Sequence, residues 1–107
     1  MATRAVRVVW SPLSLELVEE IARVIATDRP VTARRWVVAV FDRVARLRQF
    51  PGLGRMVPEL ARPEIRELPY PPYRIIYRVD PKRVMILTVR HGRQELDVNE
   101  AAGTHAP

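Results

Sequence analysis

The chain contains no cysteine, and its single lysine is Lys82. The first absence excludes disulfides, thiolate metal sites and a cysteine nucleophile, and it accords with a reducing cytoplasm. No apolar run reaches the ~20 residues that a membrane helix needs. The opening stretch from Met1 to Trp10 carries Arg4 and Arg7 within its apolar residues and lacks a signal-peptide core. A cytoplasmic protein is the default expectation. Two histidines without cysteine make no persuasive metal site, and Ser11, Ser14, His91 and Asp97 form no recognisable nucleophile motif. Glu16, Glu19 and Glu20 share a predicted helix face with Arg23 and read as a solvated charge cluster, not a paired-carboxylate active site. No cofactor and no metal are implied.

What the chain has in excess is arginine. Lysine and arginine total 18 against 12 acidic residues, a formal net charge of +6. Guanidinium offers a planar donor fork suited to phosphate and carboxylate, so nucleic acid or an acidic protein segment is the implied partner. Codon usage that favours Arg, Ala, Val and Pro would produce the same excess on an ordinary soluble surface. A length of 107 residues is one domain's worth of chain, able to bury roughly two thirds of its unfolded surface. Residues 1–98 read as that domain. The tail 99–107 has little periodicity and is expected to be flexible.

Valine-rich Ala5 to Trp10 predicts a strand. Ser11 then suits a helix N-cap, and Pro12 suits the first helical position. Leu13, Leu17, Ile21, Val24 and Ile25 recur at helical spacing to about Thr27, with Leu15, Val18 and Ala22 widening the arc. So wide an apolar arc predicts cover on two sides, by a second helix and by a sheet. Asp28-Arg29-Pro30 breaks the pattern. A second helix follows, with Ala33, Trp36, Val37, Val40, Phe41, Val44 and Leu47 at spacings of three and four. Val38 and Ala45 interrupt its polar side, at positions suited to lie beneath a partner. Phe50-Pro51-Gly52-Leu53-Gly54-Arg55 ends it as a rigid turn and matches no phosphate-binding loop.

From Ile65 to His91 the chain reads as three strands carrying arginines: Ile65-Arg66-Glu67-Leu68, then Tyr73-Arg74-Ile75-Ile76-Tyr77-Arg78-Val79, then Val84 to His91. The turn Asp80-Pro81-Lys82 closes a hairpin. If Val79 faces Val84 and the alternation is unbroken, Tyr77 faces Ile86 and Arg74 faces Val89. Tyr73, Ile75, Tyr77, Val79, Val84, Ile86 and Thr88 then form a core face. Arg74, Ile76, Arg78, Met85, Leu87, Val89 and His91 form a second face with an apolar floor and a cationic rim, which reads as a binding surface. The alternative is that the floor is the far side of a core and the arginines extend past its edge.

Trp10-Ser11-Pro12 before a helical hairpin, Pro51-x-x-Gly54-Arg55, Arg66-Glu67-Leu68, Tyr73-Arg74-Ile75-Ile76-Tyr77-Arg78 and Val89-x-His91-x-Arg93 together resemble the ParE/RelE toxin superfamily. Each motif is weak alone, whereas their order and spacing cover nearly the whole chain. The resemblance implies an α+β fold, a strand and a two-helix hairpin followed by a three-stranded antiparallel sheet. It also implies the toxin of a type II toxin-antitoxin pair, in a hetero-oligomer with a cognate antitoxin. An acidic antitoxin segment that folds on binding would suit the arginine excess. Leu17, Ile21 and Arg66 join the second sheet face as its expected contacts.

ParE-like members of the superfamily poison DNA gyrase, and RelE-like members cut messenger RNA on the ribosome. Arg74 matches a RelE-like catalytic arginine by its place in Tyr-Arg-Ile-Ile-Tyr. The strand before it reads Ile65-Arg66-Glu67-Leu68 where RelE-like nucleases use lysines, and no tyrosine follows Tyr77. A nuclease would therefore depend on Arg74, with Arg93 as second arginine and His91 as proton carrier. The resemblance thus favours a ParE-like gyrase inhibitor acting by binding. RelE-like cleavage is the alternative, and a module that holds an antitoxin without being toxic is a third.

Overall fold

The computed structural model describes residues 5–92. In chain order they form β1 (Arg7–Trp10), α1 (Pro12–Asp28), α2 (Pro30–Ala45) with a 3-10 turn at Arg46–Arg48, β2 (Arg55–Met56), β3 (Ile65–Tyr70), β4 (Tyr73–Val79) and β5 (Arg83–His91). The strands make one sheet in the order β1-β5-β4-β3-β2. The three predicted antiparallel strands form its centre. β1 joins parallel to β5, and β2 is a two-residue edge strand that sequence reading assigned to a turn. Arg93 and the tail 99–107 lie outside the described residues.

Ser11 turns strand into helix as its chemistry predicts. Its hydroxyl accepts the Ser14 backbone N–H at 3.0 Å, and Pro12 occupies the first helical turn. The same hydroxyl donates to the Leu87 carbonyl at 3.0 Å, while the Ser11 N–H donates to the Ile86 carbonyl, also at 3.0 Å. One residue thus caps α1 and stitches it to the centre of β5. Helix α1 packs against both α2 and β5, the two-sided cover that its apolar arc requires.

The helices cover one sheet face over a core of Val18, Trp36, Val40, Val44, Leu47, Leu68, Ile75, Tyr77, Val84, Ile86 and Val89. Leu47 reaches it from the 3-10 turn and is fully buried. Trp10 stacks at a tilt on Phe41 with ring centroids 4.6 Å apart, tying β1 to α2. The other sheet face is not bare. Residues 57–64 fold back over it, and Val57, Ile65, Ile76 and Leu87 form a second small core with Leu60 and Met85.

The hairpin register departs from simple alternation. Val79 faces Val84 and Tyr77 faces Ile86 as predicted, but Ile76 faces Thr88, so Leu87 is an extra residue in β5. This β-bulge exchanges every later side chain between faces. Arg74 faces Arg90, Ile75 faces Val89 and Tyr73 faces His91. Val89 and His91 therefore belong to the helix-covered face, contrary to the expectation, and Thr88 is with Ile76 on the opposite one. The Ser11 hydroxyl holds the carbonyl of the bulged residue itself.

Candidate functional site: a buried arginine cluster beside an open cleft

Arg74, on the face away from the helices, projects into a group of opposite charges. Glu67, two registers along the neighbouring strand, lies diagonal to it and is 1% exposed. Arg74 Nη1 donates to Glu67 Oε1 at 2.8 Å and to Glu59 Oε1 at 3.0 Å, while Nη2 donates to Glu59 Oε2 at 2.5 Å. The second oxygen of Glu67 accepts from Arg55 Nε at 2.6 Å. Two guanidinium groups and two carboxylates thus balance one another, and Glu59 fills the Arg74 fork bidentately. Hydrogen bonds donated to the Glu59 carboxylate hold the Arg74 pKa above its ordinary value despite burial, so the side chain remains charged.

The cluster forms one wall of an open cleft of about 520 Å³, shared with Pro58, Pro69, Pro72, Tyr73 and Gly92. The expected anion-binding head of Arg74 is therefore already occupied from within. Its apolar floor is covered as well, since Ile76 is fully buried and Leu87 is 3% exposed beneath residues 57–64. Met85 remains partly buried at the rim. Arg78 is bound by Asp80 through 2.9 and 3.3 Å contacts.

The remaining expected contacts lie elsewhere. Leu17 and Ile21 are half-buried against the helix-side core. Arg66 lies opposite Tyr77 and donates from Nη1 to the Gly54 carbonyl at 2.8 Å. His91 sets its ring edge-on to Tyr73 with centroids 5.8 Å apart, and Tyr73 in turn meets Trp36 at 5.4 Å. The sheet thus separates Arg74 from His91. Glu59 and Glu67 were missed as partners. The available signal was a carboxylate in mid-strand, since Glu67 sits between Arg66 and Leu68 where only pairing makes burial tolerable.

Two further features lie outside this cluster. A second open groove, about 620 Å³ and mainly apolar, runs between the helices on their outer side, lined by Ala22, Ala26, Pro30, Ala33, Val37 and Val38. The Pro51 to Gly54 turn is clamped by Tyr77, whose hydroxyl accepts the Gly54 N–H at 2.8 Å and donates to the Pro51 carbonyl at 2.9 Å. Burial pushes the Tyr77 phenol pKa up, which keeps that donor protonated.

The β4–β5 turn offers a pH test. Hydrogen bonds from Arg78, supported by Arg83, lower the Asp80 pKa below its usual 3.8. A depressed carboxylate contributes stability above its unfolded pKa, and that contribution is lost as pH falls through the folded value. Asp80→Asn should therefore be less stable than the wild type near neutrality, and the difference should shrink below about pH 4. Denaturant melts across pH 2.5–7 would measure it; a difference independent of pH would exclude an ionic origin.

Among solved structures, the fold is similar to a chain described as the chromosomal ParDE TA system from P. aeruginosa, with TM-score 0.70 and 21% identity over 82% of this chain and 97% of that one. It is also similar to a chain of the toxin-antitoxin complex RelBE2 from Mycobacterium tuberculosis, with TM-score 0.60 and 20% identity over 81% of this chain and 91% of that one. No curated protein sequence matches the chain. The fold is thus one shared with chains of solved ParDE and RelBE2 toxin-antitoxin structures. The chain belongs to the family of ParE toxins of type II toxin-antitoxin systems, parDE, whose pattern matches residues 8–96.

Proposed function

We propose that this toxin acts by binding DNA gyrase and blocking replication, and that a cognate antitoxin holds it inactive. The separation of Arg74 from His91 carries the choice of binding over chemistry. RNA cleavage requires cationic stabilisation of the phosphorane and proton transfer at one scissile bond. Here the Arg74 fork is filled by Glu59, and His91 sits across the sheet against Tyr73. Family membership and the likeness to the ParDE chain support the same branch.

The antitoxin is proposed to be acidic and to fold on binding in a hetero-oligomer with the toxin. The apolar groove between α1 and α2 suits one face of an amphipathic helix, with Arg34 on its rim to meet a carboxylate and Arg23 there already paired with Glu19 at 2.8 Å. On the sheet, Arg66, Arg78, Met85 and His91 are the predicted contact residues that are only partly buried.

Pulse-labelling of DNA and protein synthesis after induction of the toxin without antitoxin tests the target. The expected result is an early fall in DNA synthesis, followed by accumulation of cleaved DNA with purified gyrase. If protein synthesis falls first, ribosome-dependent RNA cleavage replaces this reading. If neither falls, the chain is an antitoxin-binding module without toxicity.

A further inference from the structure

The loop joining α2 to β2 carries an unusual combination. Phe50, Leu53 and Met56 are 56%, 44% and 45% exposed, although connecting loops are ordinarily polar. Between Asp42 and Glu59 the sequence has no acidic residue but contains Arg43, Arg46, Arg48 and Arg55. Arg46 and Arg48 are exposed and form no ion pair among the described residues. Arg55 gives its Nε to Glu67 yet leaves 70% of its side chain in solvent.

The loop is also held stiffly. The Leu53 N–H donates to the Phe50 carbonyl at 3.0 Å, and the Phe50 N–H to the Arg46 carbonyl at 3.1 Å. Tyr77 and Arg66 secure the turn from beneath by three hydrogen bonds to Pro51 and Gly54. Met56 alternates with Arg55 in β2 and pairs with Arg66, so it emerges on the helix side, from which the loop arrives. A stiff loop that displays large apolar side chains loses little conformational entropy when a partner covers them.

From this we infer that the α2–β2 loop is the surface by which the toxin grips its protein target, through an acidic patch that receives Phe50 and Leu53 while Arg46 and Arg48 meet its carboxylates. The inference rests on the gyrase reading and adds the contact site to it. Phe50, Met56 and the neighbouring arginines are of the residue types enriched at protein interfaces. An acidic protein surface fits better than nucleic acid because phosphate backbone would leave three apolar side chains without cover.

The test uses purified gyrase and supercoiled DNA with wild-type toxin, F50S/L53S, R46E/R48E, and the control R29E/R35E at the far end of α2. Unfolding curves confirm that each variant folds. The two loop variants should need at least about tenfold more toxin for half-maximal DNA cleavage, as expected for truncated hot spots, while the control matches wild type. Loop variants as potent as wild type would overturn the site and leave the gyrase reading standing. Equal loss in the control would overturn it in favour of overall charge. Binding of wild-type toxin to DNA alone, lost in the same loop variants, would overturn it in favour of a nucleic-acid contact. A wild-type toxin inert on gyrase would remove both the reading and this inference.

Discussion

Arg74→Ala should destabilise the fold by about 3 kcal/mol, which for a domain of this size lowers the melting temperature by roughly 15 °C. Removing the guanidinium strands Glu67, whose side chain is only 2% exposed, beside an apolar floor. Loss of one partner from a buried pair costs about 3–5 kcal/mol. The lower end applies here, because Arg55 still holds the second Glu67 oxygen and Glu59, with a third of its side chain exposed, can turn to water. The double variant Arg74→Met/Glu67→Leu should recover most of the loss, since an apolar pair of similar volume replaces both charges. Urea melts of the two variants would decide. A single variant as stable as wild type would mean that the cluster contributes no net stability.

Gly54→Ala is expected to rival it, at about 3 kcal/mol, the upper end of what overpacking costs. A Cβ at this position would lie 2.4 Å from the Glu67 carbonyl oxygen and 2.7 Å from the Tyr77 hydroxyl. The first neighbour is backbone of a central ladder and cannot swing aside. The turn would have to lift from β3, breaking the Tyr77 clamp and carrying Glu67 away from Arg55. Gly52→Ala is the control, since nothing lies within 4 Å of its added carbon. Guanidinium unfolding should separate the two glycines clearly, and equal stabilities would show that the loop gives way without cost.

These two positions also mark what was legible in the sequence. Periodicity and the Ser11-Pro12 cap place α1 within a residue of its observed bounds, because helical spacing repeats often enough to average out exceptions, whereas the second helix, expected to run on to the Phe50-Pro51 turn, ends at Ala45 and tightens into a 3-10 turn. The strands of the central hairpin are equally plain. Their register was not, because Leu87 and Thr88 both suit a strand and nothing in either side chain announces the bulge. One inserted residue was enough to carry Val89 and His91 through the sheet and to part them from Arg74, with which they were expected to share a face. The ion-pair cluster was hidden for a different reason. Glu59 reaches Arg74 from a loop 15 residues away, and loop conformation has no period to read. The exposed Phe50 and Leu53 were visible as residues, but their exposure depends on the Tyr77 clamp, a contact between distant segments.

The parallel pairing of β1 with β5 has a consequence for the order of assembly. Val8 meets Val84, and Ser11 caps its helix against carbonyls of Ile86 and Leu87, so the start of the fold is completed by its final described strand. A growing chain that has made both helices has no sheet on which to lay them, and long-range closure of this kind is slow. The Tyr77 hydroxyl that stiffens the proposed target loop also arrives late. Synthesis halted before Tyr77 would release the helical hairpin and its loop without the hydroxyl that clamps them. The loop and the cleft therefore gain their supports only once the strands that follow the helical hairpin are in place.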